Sequence, residues 1–200
     1  WFTLGEGFLP LEEQVTEALP DIPRVATGSQ IRAVAETGSE EMEMDPHIWI
    51  STRNGILMTH AVLDGLSERY PALADRFSEN ADAFIAQLSK ADARLSAAAD
   101  AMHPKAFLTT HGSFRYLAAD YNLTQLVITH EGKEPSAHEL AEIVDAAKEA
   151  GVHSIVTEPL SGERAAVVLS EELGVVPVEI NPLSVHYTDT LNALAEVLKK

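Results

Sequence analysis

The sequence predicts an α/β protein in two lobes joined by one long spine helix, the second lobe a parallel sheet flanked by helices. Three observations predict it. After Pro104, apolar strand-like runs alternate with amphipathic segments of about ten to fourteen residues, which implies right-handed crossovers and a parallel sheet. Between Pro71 and Met102, Leu73, Phe77, Phe84, Leu88, Leu95 and Met102 recur at helical spacing. Before that helix, the apolar runs Trp1 to Leu4 and Ile48 to Ile50 read as strand, so sheet is expected on both sides of it. The expected divisions are 1–70 for the remainder of the first lobe, 71–103 for the linker helix and 104–200 for the second lobe.

Taken in order, the chain opens in what reads as the middle of a strand, and the first lobe is therefore expected to be incomplete. A helix follows near Leu9 to Leu19, then a turn-rich connection through Pro20 and Pro23. The polar segment Thr37 to Asp45 reads as a flexible surface loop, and His47 to Ile50 as a short strand. Residues 54–70 fit a helix with Ile56, Leu63, Leu66 and Tyr70 on one face. Pro71 suits the first position of the next helix, and Pro104 ends it. Some thirty residues at 1.5 Å each make a rod of roughly 45 Å; a coiled-coil arm and a spine between lobes both fit that length.

In the second lobe, strands are expected at Lys105 to Thr110, Gln125 to Thr129, His153 to Thr157 and Val175 to Ile180. The intervening helices are Phe114 to Tyr121, Ala137 to Ala150, Glu163 to Leu173 and Thr188 to Leu198. Ser136 and Glu139 form a capping box at one helix start, and Gly151 and Gly174 mark two helix ends.

Composition narrows the function. The 200 residues carry a formal charge of −17, from 14 Lys and Arg against 31 Asp and Glu. Phosphate binding needs clustered cations, so nucleic acid and anionic membrane surfaces are poor partners and a cation a natural one. An acidic surface that only keeps the protein in solution gives the same charge. There is no cysteine, which removes disulfides, thiolate nucleophiles and cysteine zinc sites. No G-x-S-x-G elbow and no glycine-rich phosphate cradle is present.

Ligands of open parallel sheets bind beyond the carboxyl ends of the strands. In "AFLTTHGSFRY", His111 follows the strand end and Gly112 turns the chain into a helix; in "MDPHIWIS", Pro46 holds His47. Two neutral imidazoles on rigid elements suit zinc or manganese where thiolates are lacking. Each alone also fits a hydrogen-bonded structural histidine. His130 is a spare candidate, His60 reads as core or boundary packing, and His103, His138, His153 and His186 have local roles at helix and strand ends or in loops. Glu158 and Asn181 follow strands and either line a cleft or bond their own turns, while Trp49 reads as core.

"DPHIWIS", the long helix, "THGSFRYLAADYNL", "EPSAHELAEIVDAAKEAGVHSIVTEP" and "VEINPL", in that order, resemble the metal-binding solute-binding proteins of zinc and manganese ABC importers, the zinc-uptake and troA-like proteins of cluster A-I. The resemblance covers nearly the whole chain. It implies two α/β lobes on one rigid helix, a metal held in the cleft between them, and no enzymatic activity. It carries ligand roles onto His47 and His111, with Zn²⁺ as the ion and Mn²⁺ as the alternative. It also implies a monomer outside the cytoplasm, periplasmic or anchored to the outer face of a membrane, that delivers the ion to an ABC transporter permease. A further ligand histidine is expected before Trp1, and Asn181 stands where many relatives have an aspartate, so this chain alone is expected to bind metal weakly. A metal-dependent hydrolase using Glu158 as base, and a metal-free adhesin-like module, are the competing readings.

Overall fold

Both sheets of the computed structural model are wholly parallel. The structure describes residues 1–35, 44–129, 133–159 and 161–199. The chain divides into two units, Trp1–Asp92 and Ala93–Lys200, and the division falls inside an unbroken helix, α3 (Ala74–Ala101).

In the first unit, β1 (Phe2–Thr3) pairs with β2 (Val25–Ala26), Phe2 opposite Val25 and Thr3 opposite Ala26. The connection between them holds α1 (Pro10–Ala18), which starts on a proline whose missing N–H costs nothing at that position. Glu12 of α1 reaches back, and its carboxylate accepts from the main-chain N–H groups of Leu4 and Gly5. α2 (Thr52–Arg69) is capped by Ser51, whose hydroxyl accepts from the N–H of Asn54 at 3.0 Å. It lies close on β2 because Gly65 has no side chain: a Cβ there would stand 2.4 Å from Val25 Cγ2. A 3-10 turn, Pro71–Leu73, then leads into α3. The Thr52 hydroxyl donates to Asp92 of α3 at 2.6 Å, tying the start of one helix to the flank of the other.

Along α3, Ala81, Leu88, Ala91, Leu95 and Ala98 are buried, and Met102 just beyond its end is buried too. Steps of three, four and seven residues keep these on one stripe. The 3-10 turn before it contributes less: Leu73, expected on the stripe, is 46% exposed.

In the second unit, β3 (Ala106–Thr109), β4 (Thr124–Val127), β5 (Ile155–Thr157) and β6 (Val178–Glu179) form one sheet in the order β4-β3-β5-β6. Helices α4 (Arg115–Asp120), α5 (Ala137–Glu149), α6 (Glu163–Leu173) and α7 (Tyr187–Leu198) supply the connections and the end. Ala106, Leu108 and Ile155 point to one face, where Val144 and Ala147 of α5 and Ala165, Ala166 and Leu169 of α6 pack on them. Alternation along β5 turns Ser154 to the other face, where its hydroxyl donates to the Val197 carbonyl of α7 at 3.2 Å. Every connection thus brings its strand back parallel, and all four strand ends share one edge. The α/β class expected from the sequence is the class observed.

Several local expectations are corrected. His47 to Ile50 is a turn and not a strand: Ile48 N–H donates to the Pro46 carbonyl at 2.8 Å, and Ile50 N–H to the His47 carbonyl at 3.1 Å. Ile48 and Ile50 are fully buried, and Trp49 between them is only partly covered. Burial with a period of two therefore imitates a strand while the backbone bonds to itself. Trp49 is consequently no core residue. His60, read as packed, is exposed on α2, and Tyr70 is 52% exposed. β2, placed in a turn-rich connection, is a strand of two residues, and β6 is shorter than the run Val175 to Ile180. The loop expected over Thr37 to Asp45 lies mostly outside the described residues, including Glu40, Glu41 and Glu43; Asp45 itself is buried. Among the described residues, no helix is long and apolar enough to cross a membrane.

Candidate metal centre

His47 belongs to the first unit. One oxygen of Asp45 receives its main-chain N–H at 2.8 Å and lies 2.7 Å from its ring Nδ1. A carboxylate only accepts, so Nδ1 is the donor, and the lone pair of the neutral ring is on Nε2. The Asp45 side chain is 1% exposed and that of His47 is 18% exposed. The Trp49 ring stands 5.4 Å from the imidazole, tilted by 58°.

The turn beneath this imidazole is held on several sides. Asp45 N–H donates to the Val34 carbonyl at 2.9 Å, and Asn54 Nδ2 donates to the Ile48 carbonyl at 2.9 Å. Gly28 lets Ile48 approach the end of β2, because a Cβ there would meet Leu4 O at 2.4 Å and Ile48 Cδ1 at 2.8 Å. The backbone that presents His47 is therefore fixed from Asp45 through Ser51, where α2 takes over.

His111 belongs to the second unit. The ladder of β3 continues through Thr110, whose N–H donates to the Val156 carbonyl at 3.1 Å. His111 follows at the carboxyl edge of the sheet, partly buried. Its carbonyl accepts from Thr109 Oγ1 at 2.7 Å and from Gln125 Nε2 at 3.2 Å, and Gln125 also donates to Thr109 Oγ1 at 2.8 Å. Gly112, Ser113 and Phe114 are buried and lead directly into α4. Like His47, this histidine is carried on a backbone held by side chains.

The remaining candidates divide clearly. Glu158 is buried at the end of β5, where it accepts from the Ser113 hydroxyl at 3.0 Å while its N–H donates to Thr110 Oγ1 at 2.9 Å. It braces two neighbouring strand ends. Asn181 is exposed and its Oδ1 accepts from Leu183 N–H at 2.9 Å, a bond within its own loop. His138 is exposed, 3.6 Å from Glu142. His103 and His186 are exposed as well, and His130 lies outside the described residues. Among the described residues, no group of three or more histidines and carboxylates is gathered for one ion. The sequence reading missed Asp45 as the partner of His47 and Ser113 as the partner of Glu158. The first was findable, since a carboxylate two residues before a histidine bonds that residue's N–H in an Asx turn.

An α/β chain without thiols that holds imidazoles on locked backbone, one at a sheet's carboxyl edge and one backed by a carboxylate, has the features of a metal-binding solute-binding protein. Comparison with known proteins fixes the family. The family model of ZnuA, the periplasmic component A of the zinc-uptake complex, matches residues 1–200, and this chain belongs to that family. The zinc-binding lipoprotein AdcA of Streptococcus pneumoniae is 36% identical over 143 residues, 70% of this chain and 28% of AdcA. The zinc-binding protein AdcA of Streptococcus pyogenes is 34% identical over 141 residues, 70% of this chain and 27% of that protein. A crystal structure of ZnuA superposes with a TM-score of 0.85 at 27% identity, covering 98% of this chain and 76% of the other. The chain thus spans less than a third of the length of these AdcA relatives. Members of the family are metal-binding transport components and not enzymes, which removes the hydrolase reading.

Proposed function

We propose that this chain is the zinc-capturing part of an extracytoplasmic solute-binding protein that hands the ion to an ABC permease. His47 and His111 are two of its ligands, Zn²⁺ is the cargo, and Mn²⁺ is the weaker competitor. The observation that carries the proposal is the family match from residue 1 to residue 200. Both histidines within that span are held on rigid backbone, as a ligand must be if binding is not to cost the ordering of a loop.

Chemistry supports zinc. Imidazole nitrogen binds Zn²⁺ at about 2.0–2.1 Å in a tetrahedral set of four. Two imidazoles leave two positions, filled in this reading by water or other donors. The structure of a ZnuA deletion mutant with zinc bound, 28% identical and with a TM-score of 0.85, supports the same ion. The domain divisions at 70 and 103 expected from the sequence belong to this proposal too, with α3 as the linker between two ligand-bearing parts.

Titration with Zn²⁺ while following thermal unfolding tests the reading. At one hundred times the dissociation constant the ion stabilises by about 2.7 kcal/mol. His47→Ala and His111→Ala are each expected to abolish most of that gain. A gain that survives both replacements rejects the two ligands. Repeating the titration with Mn²⁺ ranks the two ions, and uptake by vesicles containing the candidate permease tests delivery.

A further inference from the structure

We propose that Asp45 is a positioning residue for metal capture: its buried carboxylate fixes both the tautomer and the ring orientation of His47, so that Nε2 is the nitrogen offered to the ion. This rests on the reading of His47 as a ligand. The geometry shows more than a turn needs. An Asx turn is satisfied by the bond from His47 N–H to Asp45 Oδ1. In this turn the same oxygen also takes the ring Nδ1–H, at 2.7 Å.

Two bonds from one oxygen, to the backbone and to the ring of the same residue, fix the imidazole relative to its own main chain. Pro46 between the two residues has its φ locked by its ring, which stiffens the link. The carboxylate is 1% exposed, and a charge so deeply buried is tolerated only where it is hydrogen-bonded. A histidine without this partner distributes its proton over both nitrogens and turns about its side-chain bonds. Capture then has to select one orientation and one tautomer. A carboxylate behind the imidazole removes that selection and makes the ligand nitrogen more basic.

Asp45→Asn is the informative variant. Its amide oxygen still accepts from His47 N–H, so the turn is kept, but the neutral amide binds Nδ1–H less strongly and can present its NH₂ instead. Nitrogen-15 spectra of the zinc-free protein, taken well above the ordinary titration range of imidazole, report which ring nitrogen carries the proton. The wild-type His47 signals are expected to show a protonated Nδ1 and an unprotonated Nε2. In Asp45→Asn they are expected to move toward the mixed or reversed form, with zinc affinity falling by about tenfold to a hundredfold. A wild-type spectrum with the proton on Nε2 overturns the proposal whether or not the variant folds. So does an Asp45→Asn protein whose zinc affinity is unchanged while His47→Ala abolishes binding. If instead His47→Ala leaves zinc affinity intact, the ligand reading fails, and the role of Asp45 in capture fails with it.

Discussion

Tyr187, at the start of α7, shows what burial does to a single group. Desolvation pushes its phenol well above its ordinary value. In the unfolded chain the phenol ionises near pH 10, and in the folded chain only at higher pH. Stability is therefore indifferent to this group below about pH 10 and falls as the pH rises beyond it, because the unfolded state then binds fewer protons. Tyr187→Phe is expected to lose part of the alkaline destabilisation and to leave the pH dependence of stability below about pH 10 unchanged; urea unfolding on either side of pH 10 measures both. Residue types were legible in the sequence where position fixed their surroundings. His111 was placed by the strand before it and the glycine after it. The burial of Asp45 was not, since it closes an acidic run that reads as solvated, although its Asx turn to His47 could have been read from spacing. Charge is visible in a sequence, but the Val34 carbonyl that helps hold this residue inside the protein is met only on folding.

Among elements, α5 was the most legible. Its capping box is present as expected: Ser136 Oγ accepts from Glu139 N–H, and Glu139 accepts from Ser136 N–H at 2.7 Å. Ser136 is exposed, so Ser136→Ala removes the cap and little else. It should cost about 0.5–2 kcal/mol by urea denaturation. On α3, Leu88 is fully buried; Leu88→Ala should cost about 2–5 kcal/mol, whereas Leu73→Ala, in the exposed 3-10 turn before α3, should cost far less. Long elements announce themselves because many residues must agree on one period. β2 and β6 span two residues each, too few for any period, and each exists through the neighbour it pairs with. The His47 turn misled for the opposite reason, because two isoleucines around an indole supplied a period that the backbone does not follow.

At the scale of the molecule, the α/β class and the parallel connections followed from the order of the segments, which is a property of the whole chain and survives errors at single boundaries. Several of the bonds around its histidines did not, because they join residues that only folding brings together, as Gln125 and the His111 carbonyl are. Thr52 is the clearest case. Its hydroxyl grips Asp92 forty positions away, immediately after the turn that carries the imidazole. The start of α2, directly after that turn, is therefore tied to α3. If His47 takes the ion as proposed, amide hydrogen exchange in α3 around Asp92 is expected to slow when Zn²⁺ is added. On the same proposal, Thr52→Val should weaken that response without abolishing zinc binding, because the bond to Asp92 is lost while the turn at His47 is kept.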